Sequence, residues 1–485
     1  MTVIATGEGS YDLIVLGAGP AGISAALSAA RHGVRTLLLD GSSLPGGQVY
    51  RAVPGEFRIH APKRLGDDFR HGQRLRQALA ASAVEIKLEH QVWNVSPGFV
   101  VQAVGPSGLF QARSRALIAA TGTVERIYPF PGWTLPGVIG LAGATILLKS
   151  QQMLPGRRTL VCGSGPLLYS VAAAIVKAGA EVAAVVDAAS AGEWISRLPR
   201  MGSRPELLAR GARWLWTLRR AGVPILYRSK IVEARGVDAV SEAAVSPADA
   251  LGRQRAGAGR TTFAVDCVAV GHGLVPGTEV SRLLRATQRY CAEQGGWIAE
   301  HDDDGLTSVP NFYVAGDGAG IAGAAAAEES GNLAGLAATR DLGRFDATGH
   351  HALVAATRRR RKRAVRFGHA MAEMMRARPG LIDAATSDVV ICRCEEVARA
   401  TVDAAIAAGA QTLNELKSWT RCGMGPCQGR YCSETAAELI AARTGDRARA
   451  GQLTARFPLR PLAVHQLVAD FDYEQHVPPP ALVPL

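Results

Sequence analysis

The sequence predicts an α/β fold of two strand–turn–helix units followed by a small helical domain, and three observations carry that prediction. An apolar run from Tyr11 ends in a glycine turn, YDLIVLGAGPAG. The same pattern recurs inside the chain from Arg157, RRTLVCGSGPLL. Four cysteines, Cys392, Cys394, Cys422 and Cys427, gather near the C-terminal end of a chain otherwise poor in cysteine. Of eight cysteines, five lie between Cys392 and Cys432, a distribution that suits metal binding in a reducing compartment better than a disulfide framework.

In the first unit, residues 11–16 read as a strand, Gly17-Ala18-Gly19-Pro20-Ala21-Gly22 as the turn, and ISAALSAARHG as a helix stopped at Gly33. Gly17 permits the tight turn, Gly19 lets backbone approach a pyrophosphate, and Gly22 lets helix pack on strand, while the helix N-terminus offers N–H groups to phosphate. The second strand, VRTLLLD, ends in Asp40, where a carboxylate can accept the ribose hydroxyls of an adenosine. This predicts a Rossmann-like dinucleotide-binding domain.

Residues 157–188 repeat strand, turn, helix and strand, predicting a second domain of the same kind. Its fingerprint is incomplete: Gly163 and Gly165 are present, but Leu168 stands at the third position, and Asp187 ends the second strand. An acid there repels a 2′-phosphate, so NAD or another adenosine nucleotide such as ATP is expected rather than NADP. A purely structural pocket is the competing reading. Cys162, Cys267 and Cys291 are isolated and read as small apolar core residues. Neither LPGGQVYRAVP nor the region of Cys162 holds a cysteine pair, so no dithiol is expected to take electrons here.

The C-terminal cysteines come in two groups, ICRCEEV and TRCGMGPCQGRYC, separated by two helical segments. Four thiolates from two loops can chelate a [2Fe-2S] cluster or zinc. The first is favoured, because zinc sites more often use CxxC knuckles and because Gly423 and Gly425 expose backbone N–H groups to sulfide. Arg393, Arg421 and Arg430 are expected to offset the cluster's charge. The last pair is spaced CxxxxC, and Cys432 stands close by as a rival ligand.

Length bounds the domain count, since 485 residues exceed a single core and suggest about three domains. The expected division is 1–125 with 265–345, 126–264 inserted between them, a basic helical linker at 346–385, the cysteine domain at 386–445 and an extension at 446–485. The balance of 54 Lys+Arg against 42 Asp+Glu gives +12, much of it in residues 358–363, RRRRKR. With no zinc-finger or RNA-binding signature beside it, that run reads as an exposed helix face or a docking surface for an acidic partner, and not as a nucleic-acid site. The N-terminal residues lack the pattern of a secretory signal, and no apolar run reaches the roughly 20 residues that span a bilayer. The chain is therefore expected to be cytoplasmic and not an integral membrane protein.

Residues 116–123 (ALIAATGT, with Gly122 in its turn) and 311–320 (NFYVAGDGAG, with Gly316 and Asp317) resemble motifs of flavoproteins with two dinucleotide domains of the glutathione-reductase type. The resemblance implies FAD at the first site, with Asp317 on the ribityl chain and the alanine-rich helix after it facing the flavin ring. The cysteine segment resembles the bacterioferritin-associated-ferredoxin type of [2Fe-2S] domain. Through GAGPAG, PGGQVYR, ATGTVERIYPFPGW, GHGLVPGTEVSRLL, TSVPNFYVAGD and CGMGPCQGRYC, nearly the whole chain resembles the FAD-dependent α subunit of bacterial multi-subunit amino-acid and amine dehydrogenases. That group includes opine oxidase, hydroxyproline and proline dehydrogenases, hydrogen cyanide synthase and, more distantly, sarcosine oxidase.

The resemblance implies a division of labour in which a β subunit with its own flavin oxidises a C–N bond and this chain passes electrons towards a quinone or dye. Further expectations are a peripheral link to a quinone acceptor and a small third subunit. No constellation of His, Tyr or Arg committed to a substrate carboxylate is evident, and His272 and His301 read as structural. The alternatives are a self-contained NAD(P)H-dependent reductase and a non-catalytic nucleotide-binding scaffold.

Overall fold

The computed structural model describes residues 8–57, 66–345 and 347–466. The first domain is a seven-stranded sheet, in the order Glu85–Lys87, Thr36–Leu39, Glu8–Leu16, Gly108–Ala119, Val100–Gly105, Gln91–Ser96, with Phe312–Val314 also pairing with Gly108–Ala119. Its left half is parallel, and Thr36–Leu39 is buried along its whole length, as an apolar run without alternation should be when helices cover both faces. The helices Pro20–Ala30 and Ala324–Asp341 pack against each other closely enough that a Cβ on Gly331 would lie 2.0 Å from the Ala21 carbonyl oxygen.

The second domain is a five-stranded parallel sheet, Ile225–Tyr227, Glu181–Asp187, Arg158–Gly163, Cys267–Gly271 and Val138–Gly140, beside a three-stranded antiparallel sheet. Cys267–Gly271 lies inside this sheet, so the expected return to the first domain at residue 265 is corrected to beyond Gly271. The reason is that DCVAVG reads equally well as a strand of either domain, and pairing with Arg158–Gly163 decides it. The two passages between domains run side by side as the antiparallel strands Thr123–Glu125 and Leu274–Pro276.

The basic run lies on the 28-residue helix Ala347–Met374, and this helix is a strap rather than a free docking face. Arg358 binds Asp304 through two hydrogen bonds from one nitrogen, at 2.8 and 2.9 Å, Arg360 binds Glu329 at 2.8 Å, and Arg361 donates to the Asp303 carbonyl at 2.9 Å. All three acids belong to the first domain. Towards the second domain, Arg363 donates to the Ser203 carbonyl at 2.7 Å, and Glu373 accepts from Arg197 and Arg200 at 2.6 Å. Half-exposed pairs of this kind contribute up to about 1 kcal/mol each. The run is an exposed helix face, as the sequence suggests, and the sequence distance of these partners is what hid them.

The cysteine domain holds a short hairpin, Val390–Cys392 with Val397–Ala398, and the helices Arg399–Ala407, Leu413–Thr420 and Cys432–Thr444. The second of these begins with a capping box between Thr412 and Glu415. Its core is continuous with that of the second nucleotide domain, through Phe130, Trp133 and Val186 on one side and Ile391, Ala436 and Leu439 on the other. Trp133 Nε1 donates to the Val390 carbonyl at 2.9 Å. Beneath this seam Arg126 pairs with Glu434 at 3.2 Å, and Arg447 reaches Glu434 at 2.8 Å and Glu438 at 3.2 Å. Replacing Arg126 by Ala leaves two buried carboxylates to one guanidinium and should cost about 3 kcal/mol; a urea unfolding midpoint equal to that of the parent would contradict this.

Candidate functional site

The first glycine turn is built for close approach. A Cβ on Gly17, whose φ is +104°, would lie 2.4 Å from the Ala120 carbonyl, and one on Gly22 would lie 1.7 Å from the Gly17 carbonyl. A Cβ on Gly19 would meet only Gly47 Cα, at 3.9 Å, so space remains over the turn for a pyrophosphate. Asp40 ends its strand with Oδ2 accepting from the Ala18 N–H at 2.5 Å and Oδ1 from the Ser42 N–H at 2.7 Å, which fixes the carboxylate beside the turn. The loop 45–51 closes over it, with Gly46 N–H donating to the Ala18 carbonyl at 2.8 Å.

Across the sheet, Gly122 turns at φ +68° with open space beside it, and Gly316 at φ +72° against Ala21. Asp317 Oδ1 accepts from Ala322 and Gly323 N–H at 2.9 Å each, just before the helix Ala324–Asp341, and burial raises its pKa. It therefore shapes the approach to that helix while also lining a large cavity that runs towards the cysteines. The seven residues expected at the first site, Gly17, Gly19, Gly22, Asp40, Gly122, Gly316 and Asp317, thus sit at the ends of adjacent parallel strands or in the turns after them.

The second turn differs. A Cβ on Gly163 would lie 1.6 Å from the Gly271 carbonyl, as a tight strand-to-strand approach requires. Gly165, however, is covered by Met375 from the end of the strap, whose Cγ lies 2.3 Å from where a Cβ would stand. The expectation that Asp187 helps to hold an adenosine nucleotide is corrected: it is fully buried and accepts from Tyr169 Oη at 2.7 Å, Trp194 Nε1 at 2.8 Å and Ala189 N–H at 2.9 Å. Those three donors occupy the oxygens a ribose would need. The residues present do not fit a dinucleotide in the ordinary pose. Leu168, also fully buried, packs in the helix core rather than at the turn.

All five C-terminal cysteines meet at one place. The sulfurs of Cys392, Cys422 and Cys432 lie within 4.8 Å of one another, and Cys394 packs beside Cys427. Donation from the Cys422 and Cys432 thiols, with backbone N–H groups of Gly423 and Glu395, holds Cys392 down at about 2, so one sulfur carries charge for the group. Gly425 has a reason of its own, because a Cβ there would stand 2.2 Å from the Cys394 Cβ. Cys432 opens the helix Cys432–Thr444, and donating its thiol to Cys392, together with burial, pushes its own pKa far up. The donor set suits a sulfur-ligated iron cluster. Of the expected arginines, Arg421 pairs with Glu395 at 2.8 Å and Arg393 lies over the Trp133 ring, while Arg430 pairs with Glu279 at 2.7 Å and also donates to the Cys427 carbonyl at 2.9 Å.

One cavity of about 2370 Å³ joins the two ends. Tyr50, Asp317 and Ala324 border it on the side of the first turn, and Cys392, Cys394, Cys427 and Cys432 border it on the other, whereas Cys422 does not.

The profile of the pyridine nucleotide-disulphide oxidoreductases matches residues 11–331, and that of the BFD-like [2Fe-2S] binding domain matches residues 390–442. The chain belongs to the pyridine nucleotide-disulphide oxidoreductase family. Membership implies FAD, and the C-terminal match a [2Fe-2S] cluster. This oxidoreductase is 38% identical to an opine oxidase subunit of Rhizobium meliloti (strain 1021), over 95% of this chain and 98% of that one. It is 34% identical to hydrogen cyanide synthase subunit HcnB of Pseudomonas aeruginosa, over 93% and 96% of the two chains. In fold it is similar to L-proline dehydrogenase from P. horikoshii, with a TM-score of 0.69 at 20% identity, covering 95% of this chain and 80% of that one.

Despite the family's name, Cys162 in this oxidoreductase is fully buried, and burial pushes its thiol pKa far up, as a core residue's should be. His272 is likewise buried and held down at about 3, first by burial and then by Arg126, and both ring nitrogens of His301 contact backbone carbonyls. No described helix is long and apolar enough to cross a membrane.

Sequence reasoning missed two features of the cavity wall. Glu125 is enclosed there with its carboxylate on the Ala142 N–H, at 3.1 and 3.2 Å, and burial pushes it up to about 8. Tyr50, Glu328 and His71 form a hydrogen-bonded cluster from three distant segments. Neither has a spacing that a single sequence displays. Because the folded pKa of Glu125 is raised, its contribution is present below the ordinary carboxylate range and is lost as pH rises through about 8. Glu125→Gln should therefore become more stable relative to the parent between about pH 5 and about pH 8; a pH-independent difference in urea midpoint would contradict this.

Proposed function

We propose that this chain is the electron-transfer subunit of a heteromeric dehydrogenase or oxidase that acts on an amino acid, an opine or a related secondary amine. A partner subunit carrying its own flavin oxidises the C–N bond, and electrons pass through FAD and the [2Fe-2S] cluster of this chain to a quinone or dye. The observation that carries the reading is one cavity bordered by Asp317 and by four of the cysteines. The full-length likeness to the opine oxidase and hydrogen cyanide synthase chains, each a subunit of its enzyme, supports the partner, and a small third subunit fits the same scheme.

In this reading Gly17, Gly19 and Gly22 cradle the pyrophosphate, Asp40 takes the adenosine ribose, and Gly122, Gly316 and Asp317 hold the flavin side. FAD supplies the exchange between two-electron and one-electron chemistry. The protein's part is to hold it against the parallel strand ends and to line the path to the cysteines. The self-contained NAD(P)H reductase is disfavoured by Met375 over Gly165 and by the three donors on Asp187. Gly163, Gly165 and Asp187 act as structural elements of the second domain.

For the cluster we propose Cys392, Cys394, Cys427 and Cys432, the four that border the cavity; Cys422, whose sulfur lies within 4.8 Å of those of Cys392 and Cys432, does not border it. This changes one member of the set read from the sequence. Ser at any of the four should remove the visible cluster absorbance, while Cys422→Ser should retain it. Absorbance kept in Cys432→Ser and lost in Cys422→Ser would restore the sequence-based set.

The function itself is tested by purifying the chain with the products of neighbouring genes and scanning amino acids and opines for dye reduction. The complex should reduce dye with one of these substrates, the chain alone should not, and NADH should not bleach the flavin at the rate of turnover. Substrate-dependent dye reduction by the partner-free chain at the rate of the complex would overturn the reading.

A further inference from the structure

Three side chains on the flavin side of the cavity are joined into a path to solvent. Tyr50 Oη donates to Glu328 Oε1 at 2.5 Å, and both Glu328 oxygens lie 3.0 Å from His71 Nε2. Arg74 donates to His71 Nδ1 at 3.1 Å, which leaves the ring proton on Nε2, directed at Glu328. Glu328 lies one turn into the helix Ala324–Asp341, which follows Asp317, and Tyr50 lies on the loop that closes over the first glycine turn. All three border the cavity with Asp317. The side-chain exposure falls from 36% at His71 to 19% at Glu328, and Tyr50 is buried, so the cluster leads from water inwards.

The charged groups around it are engaged elsewhere. Asp68 is held by Arg210 at 2.6 Å and by Lys149 at 3.7 Å, Glu329 is held by Arg360 at 2.8 Å, and Arg76 donates to the Tyr50 carbonyl at 2.8 Å. Glu328 is left with an imidazole and a phenol, partners able to exchange a proton with it, and pairs with no Arg or Lys among the described residues. A structural ion pair would more economically use Arg or Lys.

We propose that Glu328 and His71 form the proton exit of the flavin site, with Tyr50 as the positioning residue that orients the carboxylate. The inference rests on the reading of FAD at this site. Reoxidation after a two-electron reduction must shed electrons one at a time to the cluster, two in all, and one proton. The electrons leave across the cavity to the cysteine-bound cluster and on to a quinone or dye. The proton passes to the Glu328 carboxylate, then to His71, then to water.

The test uses the full chain loaded with FAD and cluster, photoreduced without oxygen and mixed with the one-electron oxidant ferricenium, following the flavin band from about pH 5 to about pH 9. Glu328→Gln should slow flavin reoxidation by roughly a hundredfold, at the low end of what a positioned acid–base group supplies, and flatten its pH profile. His71→Ala should be slowed likewise and be restored by added imidazole, while Tyr50→Phe should shift the profile without abolishing the step. FAD content and cluster absorbance, read from the same spectra, separate this inference from the cofactor assignment. If Glu328→Gln loses FAD, half-exposed His71→Ala decides. Parental rate and pH profile in FAD-loaded His71→Ala would overturn the proposal.

Discussion

A guanidinium sealed inside the protein, Arg126, fixes where the flavin half and the cysteine half meet. It follows directly on the strand Thr123–Glu125 that links the two nucleotide domains. It reaches Glu434 on the helix opened by Cys432, the Gly295 carbonyl at 2.8 Å and the Met375 carbonyl at the end of the strap. A buried ion pair of this sort is a poor source of net stability, since desolvation offsets most of the attraction, but breaking it is costly. Its effect is positional. With Arg126 in place, the wall of one cavity can carry Asp317 at one end and the cysteines at the other.

The second nucleotide domain takes its meaning from that arrangement. Its fold is intact, with five parallel strands, yet the two features a nucleotide would use are taken up by the protein itself. Met375 covers Gly165, and Asp187 gathers Tyr169, Trp194 and the Ala189 N–H. A domain whose binding elements have become packing elements supports the cysteine domain: Trp133 and Val186 lie in the same core as Ile391 and Leu439. In the proposed reading the redox path then runs from flavin to cluster without a nicotinamide.

Much of this was legible in the sequence, for physical reasons that differ by element. The first turn was readable because three glycines at fixed offsets are required by close approach, and the cysteine domain because thiolates cluster only for a reason. The role of Asp187 was misread because a strand-terminal acid looks the same whether it faces ribose or Tyr169. The basic run does form an exposed helix face, as read, but its pairing with Asp303, Asp304 and Glu329 left no pattern because those partners lie far away in sequence. Cys432 against Cys422 could not be decided by spacing, since both flank Cys427 at five residues and only the packing shows which borders the cavity. The Tyr50, Glu328 and His71 cluster depends wholly on long-range folding and left no pattern to read.

The central claim is that electrons cross this cavity from flavin to cluster during turnover. It is tested most directly by mixing the intact complex with its amine substrate and freezing at successive times, with the flavin followed by absorbance and the cluster by electron paramagnetic resonance. The account predicts that the flavin of this chain is reduced first and that the reduced-cluster signal follows at least as fast as turnover. A cluster that stays oxidised while substrate is consumed and acceptor reduced would contradict it.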